Sequence, residues 1–128
     1  MKPITAEWTE KAEGDFATMQ RETRARRNPN YDAICFHAQQ CAEKYLKARL
    51  TEADIPFGKV HDLVALLEQA IAVQPQWEVF REDLAYLSDF AVKARYPGES
   101  ADRESARDAA RRCRFFRGVA RKSLGLAV

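Results

Sequence analysis

Apolar residues recur every three to four positions along almost all of this 128-residue chain. That period gathers side chains on one side of an α-helix, whereas a half-buried strand needs a period of two. No Val/Ile/Thr-rich alternating run bounded by turns occurs, so the pattern predicts an all-α protein without a sheet. Trp8, Ala12, Phe16, Met19 and Thr23 form the first stripe, predicting a helix from about Thr5 to Arg26. Thr5 is the expected N-cap, and Asn28-Pro29-Asn30 the expected stop.

Four further segments follow. Tyr31 to Ala53 carries the widest apolar face, with small residues at Ala38, Cys41, Ala42 and Ala48 that let neighbours approach, so this helix is expected at the centre. Ile55-Pro56-Phe57-Gly58 reads as a loop. A short helix is expected from His61 to Val73, with Asp62 favouring the helix dipole in its first turn. The next runs from Trp77 to Arg95, with Phe80, Leu84, Leu87, Ala91 and Ala94 on one face, and ends near Tyr96 because Pro97 and Gly98 follow. The last runs from Asp102 to Leu124, with Ala106, Ala109, Cys113, Phe116, Ala120 and Leu124 facing inward. Short connections favour antiparallel neighbours, so the expected fold is an up-down antiparallel helical bundle of four long helices plus one short helix, a single domain over residues 1–128. Phe36, Tyr86 and Phe90 lie off the main stripes, and Phe115 and Phe116 are both expected to pack.

Composition narrows the function classes. No run of about 18 apolar residues exists, which predicts no membrane span. Met1 to Trp8 lacks a basic start followed by an apolar stretch, which predicts no secretory signal. The odd count of three cysteines in Ala-rich helical text reads as reduced, packed thiols of a cytoplasmic protein. Net charge is only +2, but it is unevenly placed: residues 61–101 carry three basic and seven acidic side chains, and residues 102–128 carry eight and three. Arg103, Arg107, Arg111, Arg114 and Arg121 fall within roughly 80° of one another around the last helix. Such a stripe suits phosphate, an acidic partner, or the acidic segments of the same molecule.

At the second helix the sequence Tyr31-Asp32-Ala33-Ile34-Cys35-Phe36-His37-Ala38-Gln39-Gln40-Cys41-Ala42-Glu43-Lys44-Tyr45-Leu46-Lys47-Ala48 resembles the signature of the HEPN (higher eukaryotes and prokaryotes nucleotide-binding) family. Trp8 with Asp15, His61-Asp62-Leu63, and Arg95-Tyr96-Pro97-Gly98 extend the resemblance in the family's order across nearly the entire chain. The resemblance implies a helical bundle, usually a homodimer, working beside a nucleotidyltransferase-type partner in a two-component, toxin–antitoxin-like module that interacts with nucleotide or RNA. It also implies an alternative, a metal-independent ribonuclease toxin acting as a dimer. The Arg-x4–6-His motif of such ribonucleases is absent, and Arg-Tyr-Pro stands at the corresponding helix end. A third reading is a purely structural dimerisation module.

The candidate residues follow from these fragments. Arg95 offers a forked donor set for phosphate, Tyr96 a phenol for stacking or a proton, and His61 an imidazole for acid–base work. These three are the catalytic candidates. Gln40, Glu43 and Lys47 share a face at spacings of three and four, Lys44 lies beside them, and His61 opens the next helix within reach. With Arg95, Gln40, Glu43 and Lys47 are the nucleotide-binding candidates; an interhelical network that only fixes the bundle is the competing reading. Cys35 and His37 point in nearly opposite directions on a helix, so no metal site is expected. No Gly-rich phosphate loop is present, and no cofactor is expected.

Overall fold

The computed structural model describes the backbone of residues 1–93 and 96–128, and all side chains except those of 91–95. The helix-face assignments of Ala91 and Ala94, and the phosphate-binding role expected of Arg95, lie outside that description. The chain forms α1 (Pro3–Thr23), α2 (Tyr31–Glu52), α3 (Leu63–Ala70), α4 (Arg81–Lys93) and α5 (Arg103–Ser123), with a 3₁₀ turn over Pro75–Phe80 before α4. Among the described residues there is no strand.

Cross-links between side chains give the helix directions. Glu52 near the end of α2 meets Thr5 of α1, and Tyr45 meets Glu13, so α1 and α2 are antiparallel. Arg112 bonds Asp83 and Tyr86 bonds the Ser105 carbonyl, so α4 and α5 are antiparallel too. The four long helices therefore alternate in direction, as expected. The short helix behaves differently. His61 lies at the level of Glu43, while Gln74 meets Arg49 further along, so α3 runs parallel to α2. The connection 53–62 climbs back alongside α2. It starts at Asp54, whose positive φ of 59° lets the Ile55 amide reach back to the Leu50 carbonyl.

Helix boundaries show where local chemistry departs from periodicity. α1 begins at Pro3, which needs no amide donor at the first helical position. Thr5 is therefore not the cap. It is buried inside the helix, and its hydroxyl donates to Glu52 Oε1 at 2.9 Å. α1 also stops at Thr23, short of Arg26. α3 is shorter than expected because Asp62 is its N-cap, accepting from the Val64 amide at 3.0 Å, and residues 71–73 leave the helix as turns. Asn30 and Asp102 cap α2 and α5 in the same way. The segment from Trp77 begins as 3₁₀ rather than α, following Pro75.

The core forms around α2, whose Ile34, Cys35, Ala38, Cys41, Ala42, Leu46 and Leu50 are all buried. Its small residues meet Ala106, Ala109, Ala110 and Cys113 of α5, also buried, so these two helices pack closely. One end is filled by aromatic rings: Trp77 and Phe80 stand edge-on to Phe116, with centroids 5.2 and 5.3 Å away. Phe115 does not pack inward; it is 66% exposed because α5 turns it away from Phe116. Tyr86 and Phe90 pack against the core of this chain, while Phe36 is half-buried with its ring edge-on to His37.

Candidate functional site

Four of the expected residues come together on one flank of α2. Glu43 is the hub, with a side chain only 5% exposed. Its Oε2 accepts from Lys47 Nζ and from His61 Nδ1, both at 3.1 Å, and its Oε1 accepts from Gln39 Nε2 at 3.0 Å. Gln40 Nε2 extends the chain by donating to Gln39 Oε1 at 2.7 Å. Lys47 is 6% exposed and its ammonium stands 5.6 Å from the ring centroids of both Trp8 and Phe57. Two aromatic rings thus cover the cation, and a carboxylate neutralises it. A buried charge pair is tolerable only with this degree of polar satisfaction.

His61 is the point where this buried network reaches solvent, with 74% of its side chain exposed. A carboxylate only accepts, so the bond to Glu43 puts a proton on Nδ1 and leaves Nε2 as the base of the neutral imidazole. The arrangement can orient an imidazole for proton transfer or hold a hydrogen bond to a ligand. Gln39 is fully buried and was the residue that periodicity concealed. On an apolar face it reads as a filler, and only the Glu43 contact reveals its use.

Lys44 does not join this cluster. It turns to the other side of α2 and pairs with Asp15, which also takes His37 Nδ1 at 2.8 Å. A third ionic group links Glu13 of α1 to Tyr45 of α2 and to Arg117 and Arg121 of α5. Arg121 was expected on the outer arginine stripe, but Glu13, the Tyr45 hydroxyl and the Ala127 carbonyl draw it inward.

Tyr96 is 62% exposed, and its carbonyl accepts from the Glu99 amide at 3.2 Å. Pro97 and Gly98, the latter with φ +89°, make the tight turn between them. Among the described residues no contact joins Tyr96 to the His61 network. α4 approaches that network from below: Ser88 Oγ accepts from the Leu63 amide at 3.1 Å, two residues after His61. The loop after Tyr96 then returns to α2, where Asp32 accepts from the Ala101 amide at 2.7 Å. No group of three metal-ligating side chains stands together among the described residues. No described helix is long and apolar enough to cross a membrane.

The chain is thus a helical-bundle protein whose central helix presents a buried carboxylate–lysine–glutamine network to solvent through one histidine. Residues 5–123 match the family model of the HEPN domain, and the chain belongs to that family. Membership associates it with nucleotide- or RNA-related functions. No curated protein and no solved structure matches the chain.

Proposed function

We propose that this protein is a nucleotide- or RNA-interacting subunit of a two-component, toxin–antitoxin-like module, a single HEPN domain that forms a homodimer and works with a nucleotidyltransferase-type partner. His61 and Gln40 line its ligand site, and the buried Glu43 and Lys47 hold the imidazole from behind. Arg95 holds phosphate and Tyr96 stacks on or orients the ligand. The observation that carries this reading is the Glu43 hub, which fixes one solvent-facing imidazole through a buried, fully paired charge network. Such a network is costly to bury, and an interior hydrophobic packing would stabilise the bundle at least as well. Retaining it makes sense where the exposed end has work to do. The test mixes the purified protein with nucleotides and with a minimal nucleotidyltransferase. A rise in melting temperature or co-elution is expected, and both should vanish in His61→Ala and Arg95→Ala. Absence of both responses in the unaltered protein overturns the proposal.

The His61–Glu43 bond favours a second reading, a metal-independent ribonuclease acting as a dimer. Here Nε2 of His61 takes or gives the proton, and Arg95 stabilises the phosphate charge. RNA cleavage that persists in the double variant Arg95→Ala/Tyr96→Ala, or in His61→Ala, eliminates it.

A further inference from the structure

The arginines of α5 divide into two sets with different work. Arg112 stacks 4.4 Å over Tyr86 and pairs with Asp83; Arg117 stacks 4.1 Å over Phe16 and pairs with Glu13. With Arg121, these hold the bundle together. The second set faces outward. Arg103, Arg107, Arg111 and Arg114 line an open groove of about 1040 Å³ between α5 and the end of α1, which adds Arg24 to the same wall. All five are exposed. The groove continues past Arg26 into a second hollow of about 570 Å³ that shares Arg103 and Arg107 and is lined by Tyr31.

Asp108 and Glu104 in the larger hollow and Glu22 in the smaller one cancel the charge of these arginines only in part. Arg111 pairs with Asp108 at 3.0 Å. Arg114 gives two hydrogen bonds to Gln20 Oε1, a neutral acceptor that leaves its charge intact. Among the described residues no ion pair engages Arg24, Arg26, Arg103 or Arg107. Along α5 the steps from Arg103 to Arg107 to Arg111 are one turn each, about 6 Å. The result is a row of forked donors following a linear track.

We propose that this groove binds the phosphate backbone of a single-stranded RNA, apart from the His61 network. The proposal rests on the RNA-related reading above for the kind of strand, and on the groove alone for its location. Three features favour a nucleic-acid strand over an acidic protein segment. Every cation in the groove is arginine, whose planar fork matches phosphate oxygens. The larger hollow has no aromatic side chain and only Ala110 as an apolar one, so it lacks the pocket that a protein partner's anchor side chain needs. At the far end Tyr31 gives a ring against which a base can stack.

Fluorescence anisotropy with a labelled single-stranded oligouridylate tests this at several salt concentrations. The triple variant Arg103→Ala/Arg107→Ala/Arg111→Ala is expected to weaken binding at least about tenfold and to flatten the slope of log affinity against log salt by about 2, at about 0.7 per phosphate lost. The matching triple lysine variant should keep the slope while binding more weakly, because the charge stays and the fork is lost. Arg24→Glu, at the residue that follows α1, is a single-site variant that should weaken binding without involving α5. Affinity unchanged in both the triple alanine variant and Arg24→Glu overturns the groove. So does no binding of the strand at all, or competition by polyglutamate as strong as by unlabelled RNA. Loss of strand binding in His61→Ala alone also overturns the groove while leaving the earlier proposal standing. If groove variants lose the strand but His61→Ala still responds to nucleotides like the unaltered protein, the earlier proposal fails and the groove stands.

Discussion

Glu43 and His61 share one hydrogen bond, yet their substitution should have opposite consequences. Glu43 is buried, and its removal leaves the Lys47 ammonium inside the bundle without a counter-charge. Breaking such a pair from one side costs about 3–5 kcal/mol. Glu43→Ala is therefore expected to lower the urea midpoint sharply, and Glu43→Ala/Lys47→Met to recover much of the loss, because a neutral residue then fills the space between Trp8 and Phe57. If the double variant is no more stable than the single one, the pair is not what Glu43 stabilises. His61 has little to lose by comparison. Its ring is mostly in water, so His61→Ala should shift stability by less than about 1 kcal/mol. The same substitution should abolish the nucleotide response. A variant that unfolds and a variant that folds but does not bind thus separate the support of the site from its exposed end.

Helix caps and one aromatic contact decide how firmly the rods are set. Asn30, Asp62 and Asp102 each accept from amides of the first turn they precede. Replacing any one by Ala should cost about 1 kcal/mol. The effect should be largest for Asp62→Ala, because α3 is only eight residues long and has no further first-turn acidic residue. Phe116→Ala removes the ring that Trp77 and Phe80 both stand against, and should cost about 3–5 kcal/mol in chemical denaturation. These elements also show what could be read beforehand. The helices and the fully buried Leu46, Leu84 and Phe116 were legible because burial on a helix leaves a 3.6-residue period. His61, Glu43, Lys47 and Gln40 were legible as neighbours because their spacing on α2 and the following loop length limit where they can lie. Gln39, Lys44 and Arg121 were not. Each side chain is long enough to reach either of two flanks, and only the packed helices decide which carboxylate it meets. Thr5 was misread for a simpler reason: Pro3 starts the helix before a capping residue is needed.

The three long helices α1, α2 and α5 meet at a single carboxylate, and that gives their association a pH dependence with a definite sign. Burial by itself would raise the Glu13 pKa, but hydrogen bonds from Arg117 and Tyr45 and the charges of Arg117 and Arg121 outweigh it and hold the carboxyl below its ordinary 4.5. A carboxylate stabilised in the folded state adds stability above its unfolded pKa and loses it as pH falls through the lower folded value. The contribution of Glu13 is thus complete at neutral pH and declines below about pH 4.5. Tyr45 shares the contact from the other side of the scale. Burial first, and the Glu13 carboxylate after it, push its hydroxyl above the ordinary 10.0. A group with a raised folded pKa contributes fully below its unfolded value and loses that contribution as pH climbs toward the folded one. The junction is therefore expected to be firmest between these limits and to loosen at both ends. Urea unfolding of Glu13→Gln and Tyr45→Phe across pH should separate the two limbs: the first variant should have a flatter acid limb, and the second a flatter alkaline limb. An acid limb unchanged by Glu13→Gln would mean that this junction does not set the acid stability of the bundle.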